Sequence, residues 1–211
     1  MLRKLFILLC LVCTVKAGAQ QTYSTRSKIT EKKADPQIDY KLTGAAMPPL
    51  RLFLYHDSAE KRMLNDQASH DDRKESRRKH KDVPTDIRSK LFITNEDVDN
   101  GANLFVMIFN PTCSHCEDET VLLEKNMSLF TKSKLILMAT PVMEPYLPDF
   151  VKLMKLSDYP SIILGVDSSG FMNNVFMYQA LPQINIYNRE RKLLKTYSGE
   201  VSIDTLKQYI E

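Results

Sequence analysis

Leu104-Phe105-Val106-Met107-Ile108-Phe109 runs without a break into Asn110-Pro111-Thr112-Cys113-Ser114-His115-Cys116, and then into Glu117-Asp118-Glu119. The first six residues are apolar throughout, the pattern of a central strand covered on both faces. Asn110-Pro111 ends that run, and Cys113 follows at once. Beyond it, Leu122, Leu123, Met127 and Phe130 recur near helical spacing, with acids in the first turn. Residues 117–130 are therefore predicted to be a helix. Two cysteines separated by two residues thus sit between a buried strand and a helix.

Outward from this centre the chain alternates strands and helices. Leu135 to Ala139 reads as a second buried strand. Pro145 suits the first turn of a helix, and Leu147, Phe150, Val151 and Met154 follow at i, i+3, i+4 and i+7. Ser161 to Val166 is a further strand candidate. Ile184 to Tyr187, the turn Asn188-Arg189-Glu190 and Lys192 to Tyr197 read as a hairpin. Gly199 breaks the chain, Ser202 can cap, and Ile203, Leu206 and Ile210 line a last helix. Upstream, Leu50 to Tyr55 alternates enough for a strand. Residues 56–90 then turn to charges of both signs, and Asp71 to Lys81 has no apolar face. That composition marks a solvated helix or loop inserted at the surface.

The N-terminus orders a short basic region (Met1-Leu2-Arg3-Lys4), an apolar run (Leu5 to Val15) and the small-x-small Ala17-Gly18-Ala19. This is the order of a secretory signal peptide over residues 1–19, with cleavage before Gln20. The run is short for a stable membrane anchor, and neither Cys10 nor Cys13 follows the small residue that lipidation requires. Residues 20–43 are polar and Lys-rich, a leader ahead of an ordered domain spanning 44–211. Removing the signal leaves Cys113 and Cys116 from a total of four cysteines. A bridge across so short a loop constrains little of the unfolded chain, so chemistry explains the pair better than stapling does. A net charge of +3 on 211 residues points to no nucleic-acid partner.

Strand, Phe109-Asn110-Pro111-Thr112-Cys113-Ser114-His115-Cys116 and helix together resemble the active-site segment of the thioredoxin superfamily. Leu181-Pro182, opening a hairpin that leads into a terminal helix, resembles that superfamily's cis-proline region. Gly44-Ala45-Ala46-Met47-Pro48-Pro49-Leu50 is similar to the opening strand of its exported TlpA/ResA-like and redoxin branch. The resemblance implies an α/β, thioredoxin-like fold: a central mixed sheet flanked by helices, here with a charged surface insertion. It implies a thiol–disulfide oxidoreductase of the periplasm or cell envelope, acting on protein thiols or disulfides and serviced by an envelope redox partner, without a cofactor. The supporting residues would be His115, Leu181 and Pro182. This chain departs from the family in three places. Met107 stands where thioredoxin carries a buried strand acid, Thr112 where it carries tryptophan, and Leu181 offers no hydroxyl before the proline.

The two-residue spacing places both sulfurs on the first helical turn, within bridging reach. Unpaired amides and the helix dipole there favour a thiolate at Cys113. Cys113, the more exposed, is expected to attack, and Cys116 to resolve the mixed disulfide; together they would form the redox-active disulfide. His115 would add positive charge and make the pair more oxidising. Glu117, Asp118 and Glu119 oppose it but are expected to be exposed and screened. His115 with the distant His56, His70 and His80 shows no metal-ligand spacing, and Glu117 stands where haem attachment needs histidine. A thioredoxin-fold binding or assembly module with a redox-silent bridge remains the alternative, because fold does not fix function. The mature chain is expected to begin at or near Gln20, which intact mass and N-terminal analysis of exported protein will check. Retention of Cys10 and Cys13 would overturn the two-cysteine reading.

Overall fold

The computed structural model describes residues 38–57, 87–177 and 180–211. The signal, most of the leader and most of the charged stretch read as an insertion lie outside these residues. Among the described residues the strands are β1 (Arg51–Leu54), β2 (Phe92–Thr94), β3 (Leu104–Ile108), β4 (Lys134–Ala139), β5 (Ile162–Asp167), β6 (Gln183–Tyr187) and β7 (Leu193–Ser198). The helices are α1 (Ser114–Lys125), α2 (Leu147–Met154), α3 (Phe171–Val175) and α4 (Ile203–Lys207). The strands form one mixed sheet in the order β2-β1-β5-β4-β3-β6-β7. β3, β4 and β5 run parallel, and β1, β2, β6 and β7 join them through antiparallel pairings.

All five residues of β3 are buried, as the apolar run requires of a strand with neighbours on both edges. Alternate side chains enter two different cores. Phe105, Met107 and Phe109 join Cys116, Leu123, Phe150 and Leu206 on one face of the sheet. Leu104, Val106 and Ile108 join Leu52, Ile93, Phe171 and Tyr187 on the other. Tyr40, within the stretch read as leader, is also buried in this second core.

Several boundaries differ from expectation. α1 begins at Ser114, three residues before the predicted start, and ends at Lys125; a 3-10 turn over Met127–Leu129 delivers Phe130 to the core. Pro145 lies inside a 3-10 segment, Pro141–Tyr146, and α2 begins after it with Pro148 in its first turn. A proline near a helix start fits either place, so residue type alone does not choose between them. β2 and the 3-10 turn Glu96–Val98 come from a stretch without a strong apolar pattern. The last helix is short; Ser202 caps it, its hydroxyl accepting from the Thr205 N–H at 3.3 Å.

A buried arginine fixes the far end of the terminal hairpin. Arg191, in the left-handed region at φ 58°, donates to the carbonyls of Ala102 (2.6 Å), Asn188 (2.9 Å) and Val98, and to Asn100 Oδ1 (3.1 Å). It thereby ties the β6–β7 turn to the loop that feeds β3.

At Gly165 in β5 the backbone of β1 approaches closely. A Cβ there would lie 2.3 Å from the Phe53 carbonyl oxygen and 2.8 Å from Leu52 Cγ. Gly165→Ala is expected to cost about 1–3 kcal/mol through forced separation of the two strands. Thermal unfolding followed by circular dichroism will show this as a lower midpoint; an unchanged midpoint would mean that the β1–β5 contact is loose.

Candidate active site

β3 delivers the cysteine segment to one end of the sheet. Ile108 pairs with Gln183 at the end of the antiparallel β3–β6 ladder, and Phe109 and Pro182 are the next residues beyond that pair on their two strands. The Leu181–Pro182 peptide is cis. Beyond Phe109 the chain turns on the Asn110 side chain, whose Oδ1 accepts from the Thr112 N–H and hydroxyl, both at 2.9 Å. The Asn110 carbonyl accepts from the Cys113 N–H at 3.1 Å. Cys113 is the N-cap of α1, and its carbonyl receives the N–H groups of Cys116 and Glu117, each at 3.0 Å.

The two cysteines are free thiols in unlike surroundings. Cys113 is half-buried and Cys116 fully buried. Burial pushes the Cys116 thiol up to about 12. The Asn110 backbone N–H opposes this, while the hydrogen bond and charge of Cys113 and the charge of Glu117 add to it. Cys116 therefore holds its proton at neutral pH, and any reaction of its sulfur needs a proton acceptor.

The expectation for the acids holds only in part. Asp118 is exposed and Glu117 half-buried, but Glu119 retains 2% of its surface. The earlier start of α1 explains this. With the helix beginning at Ser114, Cys116, Glu119, Thr120, Leu123 and Glu124 form its inward stripe at i, i+3, i+4, i+7 and i+8. Burial lifts the Glu119 carboxyl to about 7, the Val201 N–H at 2.9 Å opposes the rise, and the charge of Glu200 adds to it. Glu119 Oε1 has no hydrogen-bond partner. Met107 faces the same core as Cys116, so the strand contributes a thioether there and the helix contributes the carboxyl.

His115 is exposed, and its Nδ1 lies 2.5 Å from Glu200 Oε1. The charge expected of this ring is thus met by a carboxylate that lies 85 residues away in sequence. Glu200 belongs to the loop joining β7 to α4, and that loop is tied to the site at several points. The Gly199 N–H donates to the Pro182 carbonyl at 2.8 Å, the Ser198 hydroxyl to Ala180 O at 3.1 Å, and the Val201 N–H to Glu119. Cys113, Cys116, His115, Leu181 and Pro182 therefore share one end of the sheet. Glu119 and Glu200 join them unannounced by any local motif. Among the described residues no three His, Cys, Asp or Glu side chains converge as a metal site, and no helix is long and apolar enough to cross a membrane.

Strand, cysteine pair, helix, cis-proline and antiparallel hairpin around a mixed sheet define a thioredoxin-like fold. The thioredoxin domain of a thiol–disulfide oxidoreductase from Bacteroides vulgatus superposes over 81% of this chain and 99% of its own, at 13% identity and a TM-score of 0.52. StoA from Bacillus subtilis matches 61% of this chain and 98% of its own, at 18% identity and a TM-score of 0.47. A secreted disulfide oxidoreductase of Mycobacterium tuberculosis matches 57% and 88%, at 16% identity and a TM-score of 0.46. No protein-family model and no curated protein sequence matches the chain.

Glu124, on the same inward stripe, is likewise raised to about 7, by burial first and by the charge of Asp158 second. Both carboxyls bind their proton more tightly in the folded chain than at the ordinary value of 4.5. Their stabilising contribution is complete below that value and is lost as pH rises through about 7. Thermal midpoints are expected to fall between pH 5 and pH 8. Glu119→Gln and Glu124→Gln should each flatten the fall, by an amount on the order of 1–2 kcal/mol for the more deeply buried Glu119. Parallel slopes in parent and variants would show that neither carboxyl titrates late.

Proposed function

We propose that this chain is an exported thiol–disulfide oxidoreductase that exchanges its Cys113–Cys116 dithiol with the disulfides of protein partners. The observation that carries the reading is the difference between its two thiols: one at a helix tip, the other buried and protonated beneath it. Such a pair divides into attacker and resolver. The Bacteroides vulgatus domain of like fold belongs to a thiol–disulfide oxidoreductase, which is in keeping with this activity. Export to the periplasm or cell envelope rests on the basic, apolar and small-residue order of residues 1–19.

In the forward direction the Cys113 thiolate attacks one sulfur of the partner's disulfide. A bond forms between Cys113 Sγ and that sulfur, and the partner's other sulfur leaves as a thiolate and takes up a proton. Cys116 then gives its proton to the Glu119 carboxylate, one helical turn away on the buried face. Its sulfur attacks Cys113 Sγ, closes the Cys113–Cys116 disulfide and expels the partner's second thiolate, which receives the proton. Two electrons pass to the partner, and the reverse sequence oxidises a partner dithiol. A carboxyl raised to about 7 is matched to this task, because it can accept and return a proton near neutral pH. Leu181 and Pro182, beside the end of β3, would present backbone and apolar surface to the partner's chain.

Cys116→Ser is expected to trap mixed disulfides through Cys113, and Cys113→Ser to trap few; gels run without reductant, with mass analysis of the adducts, will distinguish them. Equal trapping by both variants would refute the assignment of attacker and resolver. Absence of disulfide turnover by the intact pair would favour a binding module with a redox-silent bridge. In stopped-flow measurements Glu119→Gln should slow release of the partner by about 100-fold while sparing the first attack. The parent's release rate should rise through about pH 7 and the variant's should not.

A further inference from the structure

Among the described residues, Glu200 brings an acidic side chain against His115 from outside α1, at 2.5 Å from Nδ1. The pair is exposed, and an unsupported exposed pair is worth little. Here, however, the backbone on either side of Glu200 is held. The Gly199 N–H is bound to the Pro182 carbonyl, and the Val201 N–H is bound to the buried Glu119 carboxyl. The carboxylate of Glu200 therefore projects from a fixed base, and little chain entropy is spent in keeping it at His115. Glu117 and Asp118, also near the ring in sequence, sit on α1 itself and have no such anchorage to the hairpin.

We propose that Glu200 is a positioning residue: it holds the His115 ring and offsets its charge, and so sets how oxidising the Cys113–Cys116 pair is. This rests on the redox reading above and deepens it. Whether the ring is an imidazolium or a neutral imidazole donating through Nδ1, the pair carries one unit less positive charge than His115 alone. A thiolate at the tip of α1 is stabilised less, and the disulfide resists reduction more, than the histidine by itself would dictate. Without His115 the carboxylate has no partner to hold it there, and solvent screens it. The influence of Glu200 is thus exerted through the histidine.

The test is a double-mutant cycle on the equilibrium constant for reduction of the full-length mature protein by glutathione at pH 7, using parent, Glu200→Gln, His115→Gln and the double variant. Glu200→Gln should raise that constant about two- to fivefold, the range of an exposed charge pair, which is about 9–21 mV for a two-electron couple. In the His115→Gln background the same change should move it by less than about 1.5-fold, on the same scale. Glu200→Asp should restore part of the parent value. The amides of Gly199 and Val201 remain in every variant, and circular dichroism will confirm the fold. An equal shift with and without His115, or no shift in either, overturns the inference while leaving turnover by the parent, and hence the proposed function, intact. If the parent pair neither exchanges with glutathione nor turns over a protein disulfide, both readings fall together.

Discussion

β3 is bonded on both edges and covered on both faces, and the rest of the molecule is arranged by that confinement. A strand with no exposed side cannot slide by one residue without exchanging its two apolar sets between two packed cores. Its end is therefore fixed in space, and so is the point where Asn110 turns the chain and Cys113 emerges. The same ladder ends at Ile108 and Gln183, the residues next to Phe109 and Pro182. The cysteine pair and the cis-proline thus follow the ends of paired strands, so strand register brings both segments to the same end of the sheet.

Burial then makes two chemically identical thiols unlike. The step from Cys113 to Cys116 is less than one turn of helix, yet it crosses from half-exposed surface into the core shared with Phe109, Phe150 and Leu206. The same inward stripe carries Glu119 and Glu124 below the surface, where each ionises reluctantly. Carboxyls in such places cost stability above neutral pH. At Glu119 that cost falls one helical turn from Cys116, on the same buried stripe.

Much of this was legible in the order of residues, and the parts that were not have a common cause. The runs at 104–109, 135–139 and 161–166 are apolar enough to demand buried strands, and the hairpin at 184–197 alternates about an evident turn. The phase of α1 was not legible, because Leu122, Leu123, Met127 and Phe130 fit a helix starting at Glu117 and also the observed helix followed by a 3-10 turn. That ambiguity hid the burial of Glu119. β2 has three residues and no clear pattern, and its existence depends on β1. Glu200 had no local signal at all, since its partner comes from the far side of the sheet's sequence order. Local patterns reveal which faces are apolar; they do not reveal which distant polar group a fold will bring to a given side chain.

The hydrogen bonds from Gly199 and Val201 to Pro182 and Glu119 carry a consequence for how the chain matures. The site draws on residues 110–119, 181–182 and 199–201, so its contacts join segments far apart in sequence, which carry a high loop-closure cost. A chain emerging from synthesis presents Cys113 and Cys116 before the terminal hairpin has docked. In that interval Val201 has not reached Glu119, Glu200 has not met His115, and the core around Cys116 is incomplete. The burial that distinguishes the two sulfurs is then incomplete. Docking of the last strand pair completes the surroundings that make the two thiols unlike.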